Sequence, residues 1–282
     1  MRVAGLAGLA LVALMASPVL ADEWSHQYPV KGKPDVHVKT DDGSVRIDTG
    51  TVSAIEAQVT TKGWHIAPGE VTITDSQAGD RVDIEVRLPK GVHFGTGNRS
   101  IEVVLRMPKE ADLEVHTGDG SIEVQPVTGR VSLSTGDGSI TADGLQGEMT
   151  LHTGDGSIRA TGLSGRLKAD TGDGSMHVRG RFDVLDLRTG DGGIDAAAEP
   201  GSKVEAAWSL RSGDGSITLR VPEGLGAELD AQTGDGSISV DKSLGVSVSG
   251  TIRERSVRGP LGPGGLPLQI YTGDGSIRLS GL

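Results

Sequence analysis

A repeated Thr-Gly-Asp-Gly-Ser-Ile hexapeptide constrains the fold of this chain more than any other feature of its sequence. Its central aspartates recur every 18 residues, at Asp119, Asp137, Asp155, Asp173 and Asp191. Later copies follow after gaps of 23, 21 and 39 residues, at Asp214, Asp235 and Asp274. The wider gaps predict insertions in the later units, and the last gap has room for one degenerate unit.

Around each copy, apolar and polar side chains alternate with the period of a β-strand. One apolar column follows the turn, at Ile122, Ile140, Ile158, Met176, Ile194, Ile217, Ile238 and Ile277. The next column varies in charge and size, at Glu123, Thr141, Arg159, His177, Asp195, Thr218, Ser239 and Arg278. The apolar column therefore predicts a core, and the variable column predicts a surface that faces water.

Each unit reads as a strand, a Gly-Asp-Gly turn, a second strand and a second glycine-rich turn. Identical side chains at identical offsets favour stacking of equivalent strands, which predicts an all-β parallel β-solenoid with coils of about 18 residues. The general preference of parallel connections favours a right-handed winding. The competing interpretation is a stack of antiparallel hairpins, or a sandwich, in which the turn joins neighbouring strands.

The regions outside the regular repeats divide the chain further. Residues 1–21 have an early arginine, an apolar stretch and a small-residue cleavage site, which predicts a signal peptide followed by an N-terminal segment at 22–34. Residues 35–113 are predicted to form an irregular β region that caps the repeats at 114–282. A Pro/Gly-rich surface loop is predicted at 256–267.

Two short stretches in the predicted cap resemble the repeat. Residues 40–45 read as a diverged copy, and residues 96–101 read as a weaker one.

Composition limits the function classes. The chain has no cysteine, so it has neither disulfides nor thiolate metal ligands. Its formal charge of −11, without a basic stripe or an aromatic series, argues against nucleic acid as a partner. No segment after the signal peptide is long and apolar enough to span a membrane. These features predict an exported protein of the periplasm, the cell surface or the medium.

The hexapeptide repeats, the Leu-x-Gly turns and the longer strands before them resemble the bacterial putative-adhesin family of unknown function with β-strand repeats, over most of residues 35–282. The resemblance implies an exported, β-solenoid-like fold. It supplies no catalytic residues.

The aspartate column is the strongest chemical feature of the repeats. In the structural interpretation, the flanking glycines adopt positive φ and the carboxylates accept backbone N–H groups. A weaker hypothesis assigns a calcium site to Asp119, Asp137, Asp155, Asp173 and Asp191. The nine-residue calcium-binding repeats of β-rolls are a poor match, because the alternate turn here carries no regular aspartate.

Other polar and aromatic residues have ordinary surface or packing interpretations. His116 and His152 fall in one outward column, with Ser134 between them, and are predicted to be surface histidines. Asp170 and Arg188 are neighbours in that column and are candidates for an ion pair across coils.

Aromatic residues do not form a carbohydrate-binding row. Trp24, Trp64 and Trp208 lie far apart in sequence, and Trp208 is predicted to serve local packing.

The sequence therefore predicts a non-catalytic exported envelope or surface protein, acting in adhesin-like binding or as a structural scaffold. Its predicted partner is an envelope protein or a glycan, and the oligomeric state stays open. A carbohydrate-active β-helix enzyme and a calcium-binding β-roll-like module are the alternatives. No cluster of acidic, arginine and histidine residues identifies a catalytic site.

Overall fold

The computed structural model describes residues 21–89, 99–244 and 255–282, in which regular structure is almost entirely β-strand. In chain order the strands are β1 (Ala21–Pro29), β2 (Asp35–Thr40), β3 (Ser44–Gly50), β4 (Ala54–Lys62), β5 (Thr72–Ala78), β6 (Arg81–Arg87), β7 (Ser100–Pro108), β8 (Asp112–Thr117), β9 (Ile122–Val124), β10 (Thr128–Thr135), β11 (Ile140–Asp143), β12 (Gln146–Thr153), β13 (Ile158–Thr171), β14 (Met176–Thr189), β15 (Ile194–Ala198), β16 (Trp208–Ser212), β17 (Ile217–Val221), β18 (Ala227–Thr233), β19 (Ile238–Val240), β20 (Ser256–Leu261), β21 (Pro267–Thr272) and β22 (Ile277–Gly281). A 3-10 turn at Lys242–Leu244 is the one helical element in these ranges. The predicted all-β class is confirmed.

The strands pair in two ladders that together form a solenoid-like stack. The first ladder holds the strands that precede each Gly-Asp-Gly turn, and the second holds the strands that follow it. We call one strand of each ladder, with the turn between them, a coil. Strands β13 and β14 run through both ladders, so all 22 strands belong to one sheet.

In the middle of the stack, each strand pairs in parallel with its equivalents in the neighbouring coils. Val131 lies between Leu113 and Met149 in the first ladder. Ile140 lies between Ile122 and Ile158 in the second. The predicted parallel pairing is therefore confirmed for these coils, and the hairpin stack is wrong.

The apolar columns form one continuous core between the ladders. Almost every member of the column that follows the turn is at most 2% exposed, including Ile158 at 1%. Ile238 and Val240 differ, because both are only partly buried. They lie on β19, which pairs with β22 alone among the described strands and therefore has one open side.

The Gly-Asp-Gly turns need glycine because neighbouring coils approach closely, not because φ is positive. A Cβ atom on Gly138 would lie 2.1 Å from the carbonyl oxygen of Gly120, and one on Gly156 would lie 2.0 Å from that of Gly138. Neither glycine has a positive φ. The predicted positive φ is wrong here, although the second turn does use it, as at Gly144 with φ of 68°.

A buried threonine column ties each turn to the coil beneath it. Thr153 Oγ1 donates to the Gly138 carbonyl at 2.8 Å and accepts the Gly156 N–H at 3.2 Å. Ser212 occupies the equivalent place and makes the same two contacts, to Gly192 and from Gly215. Since a buried hydroxyl without partners is costly, these contacts explain why threonine or serine occupies the column.

At the C-terminal end of the stack, the coils do not follow chain order. Strand β21 pairs with β16 on one side and β18 on the other. Strand β22 lies between β17 and β19 in the same way. The coil formed by β21 and β22 is thus inserted between two coils that precede it in sequence.

The prediction of a loop at 256–267 is wrong for its first half. Residues 256–261 form β20, which pairs antiparallel with β18. Val257 and Leu261 point into the core, at 6% and 1% exposure. Pro260 is compatible with this strand because β20 pairs with β18 alone among the described strands, and an edge strand tolerates a missing N–H.

The N-terminal end of the stack shows a similar departure from chain order. Strand β2 lies between β6 and β8, and β3 lies between β7 and β9. Three strands then pair antiparallel at the outside: β5 with β6, β4 with β7, and β1 with β4. The first coil in the chain, formed by β2 and β3, therefore lies between the outer strands β6 and β7 on one side and the coil of β8 and β9 on the other.

One of the two divergent copies occupies a repeat position in this end. Thr40 pairs with Thr117, and Val45 pairs with Ile122, as the copy at 40–45 predicts. The copy at 96–101 is out of register, because Val103 and not Ile101 pairs with Val45. Residues 96–98 lie outside the described residues, as do residues 1–20 of the predicted signal peptide.

A hydrogen-bonded cluster links the two outermost strands at this end. Tyr28 on β1 donates to Asp75 on β5 at 2.8 Å, and His26 Nδ1 lies 2.7 Å from the same carboxylate oxygen. Burial, with the hydrogen bond and charge of Asp75, raises the pKa of the Tyr28 hydroxyl above its ordinary value. The cluster therefore joins the edges of both ladders across the end of the core.

Candidate ligand-binding groove

The aspartates of the Gly-Asp-Gly turns form an exposed column at the edge of the stack. Their backbone N–H groups bond to the neighbouring coil, as in Asp155 N to Gly136 O at 3.2 Å. In the described part of the chain, no backbone N–H donates to the carboxylates of Asp137, Asp155, Asp173 or Asp191, so the predicted turn-holding role of these side chains is wrong. The turns are held instead by the close approach of glycines in neighbouring coils and by the hydrogen bonds of the threonine hydroxyls.

Asp42, in the divergent copy, is different. Its carboxylate accepts the Asp119 N–H at 3.1 Å. Burial raises the pKa of Asp42, and the negative charge of Asp119 adds to the rise.

The calcium hypothesis for the aspartate column gains no clustered ligand set. Within residues 21–89, 99–244 and 255–282, no three His, Asp or Glu residues lie close enough to hold one metal ion. The site at Asp119, Asp137, Asp155, Asp173 and Asp191 stays a prediction.

The histidine column lies on the first ladder. Ser134 pairs with His116 on one side and His152 on the other, as predicted, and His152 is exposed. His152 Nδ1 is 3.2 Å from Asp170, and Arg188 contacts Asp186 at 3.4 Å. Asp170 therefore pairs with histidine, and the predicted Asp170–Arg188 ion pair is not the one that forms.

The three tryptophans do not make a shared face. Trp208 is fully buried against Phe182, and its indole N–H donates to the Asp183 carbonyl at 3.3 Å, which confirms its packing role. Trp64 is 6% exposed, with the Arg99 guanidinium 4.4 Å from its ring centre. Trp24 is partly buried beside the core.

A polar groove of about 660 Å³ crosses the second ladder. Its central row consists of consecutive partners in the strand register: Arg159, His177, Asp195, Thr218 and Arg278. Hydroxyl groups flank this row, from Ser157, Ser175, Ser216 and Ser280. The strands fix these positions because every inward neighbour of the row is a buried core residue.

The charged groups of the groove are arranged unevenly. Asp195, near the centre, is an ion-pair partner of Arg220 and lies 3.4 Å from His177 Nδ1. Arg159 and Arg278, at the two ends, are exposed and have no hydrogen-bond or ion-pair partner among the described residues. The groove therefore presents two uncompensated guanidinium groups on a chain whose formal charge is −11.

Glycine replaces the usual serine at the middle of the groove. Gly193 follows Gly192 where other copies have Gly-Ser, and its N–H lies 3.3 Å from Ser175 Oγ. A Cβ atom there would meet only the Ser216 carbonyl, at 3.3 Å. A side chain at this position would require the Ser216 carbonyl to shift by a few tenths of an ångström, and its absence leaves the centre of the groove open.

Sequence reasoning placed the members of the central row in one outward column but did not recognise a site. One signal was visible in the sequence. Gly193 replaces the serine of the hexapeptide, and Arg159, His177 and Asp195 occupy the same offset in three successive repeats.

The two ladders extend over nearly all the described residues. One family model matches almost the same part of the chain. The Toastrack DUF4097 model matches residues 34–280. This chain belongs to the Toastrack DUF4097 family. No curated protein sequence matches it significantly.

The solved structures that match this Toastrack DUF4097 chain share little sequence with it. A putative lipid binding protein from Parabacteroides distasonis is 13% identical, with 92% of this chain and 96% of that chain covered and a TM-score of 0.49. A putative adhesin from Parabacteroides merdae is 11% identical, with coverage of 91% and 95% and a TM-score of 0.47. A putative adhesin from Parabacteroides distasonis is 14% identical, with coverage of 92% and 97% and a TM-score of 0.44.

The described segments also bear on membrane insertion. They contain no helix of the length and apolar character that crossing a bilayer requires.

Proposed function

We propose that this chain is a non-catalytic exported protein of the cell envelope or surface that binds a glycan or an envelope protein through the second-ladder groove. The observation that carries the proposal is the pair of partnerless arginines, Arg159 and Arg278, on a rigid parallel ladder. Exposed charge without an internal partner is available to a ligand, and a fixed frame lowers the entropy lost on binding.

The chemistry of the groove supports binding over catalysis. Ser175 Oγ accepts the Gly193 N–H, and the His177 ring faces Asp195. Asp195 is the one carboxylate that lines the groove, so a second carboxylate for general acid–base catalysis of glycoside cleavage is missing from this lining.

Export and winding complete the proposal. The signal-peptide pattern at 1–21 supports export to the periplasm, the surface or the medium. Partners 18 residues apart, such as Leu133 and Leu151, support coils of about 18 residues, and the general preference of parallel connections supports a right-handed winding.

Binding and turnover are tested together on the chain that begins at Asp22. The purified protein is applied to a panel of immobilised glycans, and the same glycans are incubated with it in solution. We expect saturable binding without release of new sugar ends. The double variant Arg159→Gln/Arg278→Gln is expected to lose binding, whereas Arg166→Gln, an exposed arginine on the first ladder, serves as the matched control.

Two results would contradict this proposal. One is cleavage of a glycan that disappears in Asp195→Asn, because it would establish an enzyme. The other is retention in the cytoplasm of a reporter fused after residue 21, because it would remove the export step.

A further inference from the structure

We propose that the groove binds a linear carboxylated polysaccharide that lies across the strands, with separate carboxylates at Arg159 and Arg278. This inference rests on the proposed function, because it names the ligand class of the same groove.

The geometry of the groove calls for an extended ligand. Arg159 and Arg278 are separated by four steps of the strand register, through His177, Asp195 and Thr218. At about 4.8 Å for each interstrand step, their backbones lie about 19 Å apart. A small anion reaches one arginine, whereas a polymer lying along the stack reaches both.

The charge pattern calls for sparse negative charge. The two partnerless guanidinium groups occupy the ends, and the Asp195 carboxylate lies between them. A carboxylate on the ligand is therefore favoured at either end and repelled at the centre. One acidic sugar in every four satisfies this pattern, because a sugar unit spans about one interstrand step of about 4.8 Å and strict alternation would place a carboxylate at Asp195.

The centre of the groove is suited to neutral sugars. Ser157, Ser175 and Ser216 offer hydroxyl groups that both donate and accept hydrogen bonds, and Thr218 adds another. Gly193 leaves space among them. Sugar hydroxyls are matched by such groups without a need for further charge.

Nucleic acid fits the same surface poorly. Each strand of DNA carries a phosphate about every 3.4 Å, so several phosphates would face Asp195. The exposed turn aspartates, including Asp155 and Asp173, lie four residues before Arg159 and His177 in the chain and add to the negative charge of this surface. Closely spaced phosphates would therefore be repelled by Asp195.

The test measures affinity for defined polysaccharides by calorimetric titration of the chain from Asp22 onward. The probes are deacylated gellan, in which one sugar in four is acidic, hyaluronan, in which acidic and neutral sugars alternate, polygalacturonate, in which every sugar is acidic, a neutral chitin oligosaccharide and single-stranded DNA. We expect gellan to bind most tightly, and its affinity to fall as salt is raised. Hyaluronan and polygalacturonate are expected to bind more weakly, because each places a carboxylate at Asp195.

Single substitutions locate the contacts. Arg159→Gln and Arg278→Gln are each expected to weaken gellan binding roughly tenfold, as expected for loss of one charge-assisted hydrogen bond. Gly193→Ser, which restores the repeat sequence without changing charge, is expected to weaken binding by occupying the centre. Arg166→Gln is the control and is expected to leave the affinity unchanged, and equal melting temperatures exclude unfolding as the cause.

The failures of the two proposals are distinguishable. Absence of gellan binding, wild-type affinity in both arginine variants, or tighter binding of DNA overturns the polysaccharide inference. Binding of the neutral oligosaccharide that is lost in Gly193→Ser overturns the inference and supports the proposed function. Turnover of any probe contradicts the proposed function itself.

Discussion

The middle of the stack and its two ends use similar coils but arrange them differently. In the middle, β10 lies between β8 and β12, so spatial order follows chain order. At the C-terminal end, β21 lies between β16 and β18, strands that precede it in the chain. Because the inward columns are nearly uniform, any copy can pack on any other. Connections of minimal length force sequential stacking, whereas a long connection permits an insertion.

Deletion of residues 267–282 has the largest expected effect on this comparison. It removes four buried apolar side chains, Leu268, Ile270, Ile277 and Leu279. Each contributes about 1.5 kcal/mol or more, so the free energy of unfolding should fall by about 6 kcal/mol or more. Chemical denaturation measures this change, and limited proteolysis should detect newly exposed sites at 227–240.

The control deletion removes a strand at the outer edge of the stack. Deleting residues 21–29 removes β1, whose partner β4 still pairs with β7, so a smaller loss is expected. If the 267–282 deletion costs less than this edge deletion, or if residues 227–240 stay resistant to protease, the inserted order is wrong.

Substitution of a core isoleucine should distinguish the middle from the outermost coil. Ile158→Asp places a carboxylate where the side chain is 1% exposed, and an unpaired buried charge costs several kcal/mol even after its pKa shifts. Ile238→Asp changes a partly exposed residue of β19 and should cost much less. Urea denaturation of both variants checks the ranking, and equal losses would show that the two columns are equally buried.

Glycine substitution tests how closely the middle coils approach. Gly156→Ala would place Cβ 2.0 Å from the Gly138 carbonyl oxygen, so the coils must separate, at a cost of about 1–3 kcal/mol. Gly50→Ala is the control, because its nearest neighbour, Val52 Cγ1, is 4.0 Å away. Melting temperatures that are the same in both variants would contradict the close approach.

The smallest expected effect concerns the ion pair between Lys33, which precedes β2, and Asp112, the first residue of β8. Lys33 Nζ lies 2.5 Å from Asp112 Oδ1, and the Arg130 N–H donates to the same oxygen at 2.8 Å. The Lys33 hydrogen bond is the main cause that lowers the pKa of the Asp112 carboxyl, and the Arg130 N–H adds to it. Because the pKa is lower in the folded chain, the carboxylate stabilises it above the unfolded pKa of about 3.9, and this stabilisation is lost as pH falls through the folded pKa.

Asp112→Asn should therefore reduce the drop in melting temperature between about pH 7 and about pH 3. Lys33→Gln should produce a similar reduction, and the double variant should add little to either. A wild-type pH dependence in both single variants would show that this contact does not contribute to acid sensitivity.

The repeats themselves predicted the core and the pairing of the middle coils. Period-two columns around Ile158 require one buried face, and their constant offset requires parallel neighbours. The inserted order could not be read from the same signal. Leu210 and Ala231 both belong to the column that packs on Ile270, so the side chains do not specify which copies lie next to each other.

The groove could not be predicted from the sequence for the same reason. If coils followed chain order, Arg278 would lie beyond Ser239; the insertion instead places it beside Thr218. The role of the turn residues was also misjudged from sequence, because glycine and aspartate suggested turn chemistry. The contacts show that close approach and the threonine hydroxyls hold the turn.

The inserted coil also sets the order in which the molecule can fold. Trp208 pairs with Leu268, and this contact joins residues far apart in the chain. Contacts with such wide sequence separation form slowly, because the loop-closure entropy is lost before the contact forms. Strands β18 and β19, at 227–240, can join the stack only after β21 and β22, at 267–281, have paired with it. The last third of the chain should therefore acquire its structure in one cooperative step, after the sequential coils have formed and not coil by coil.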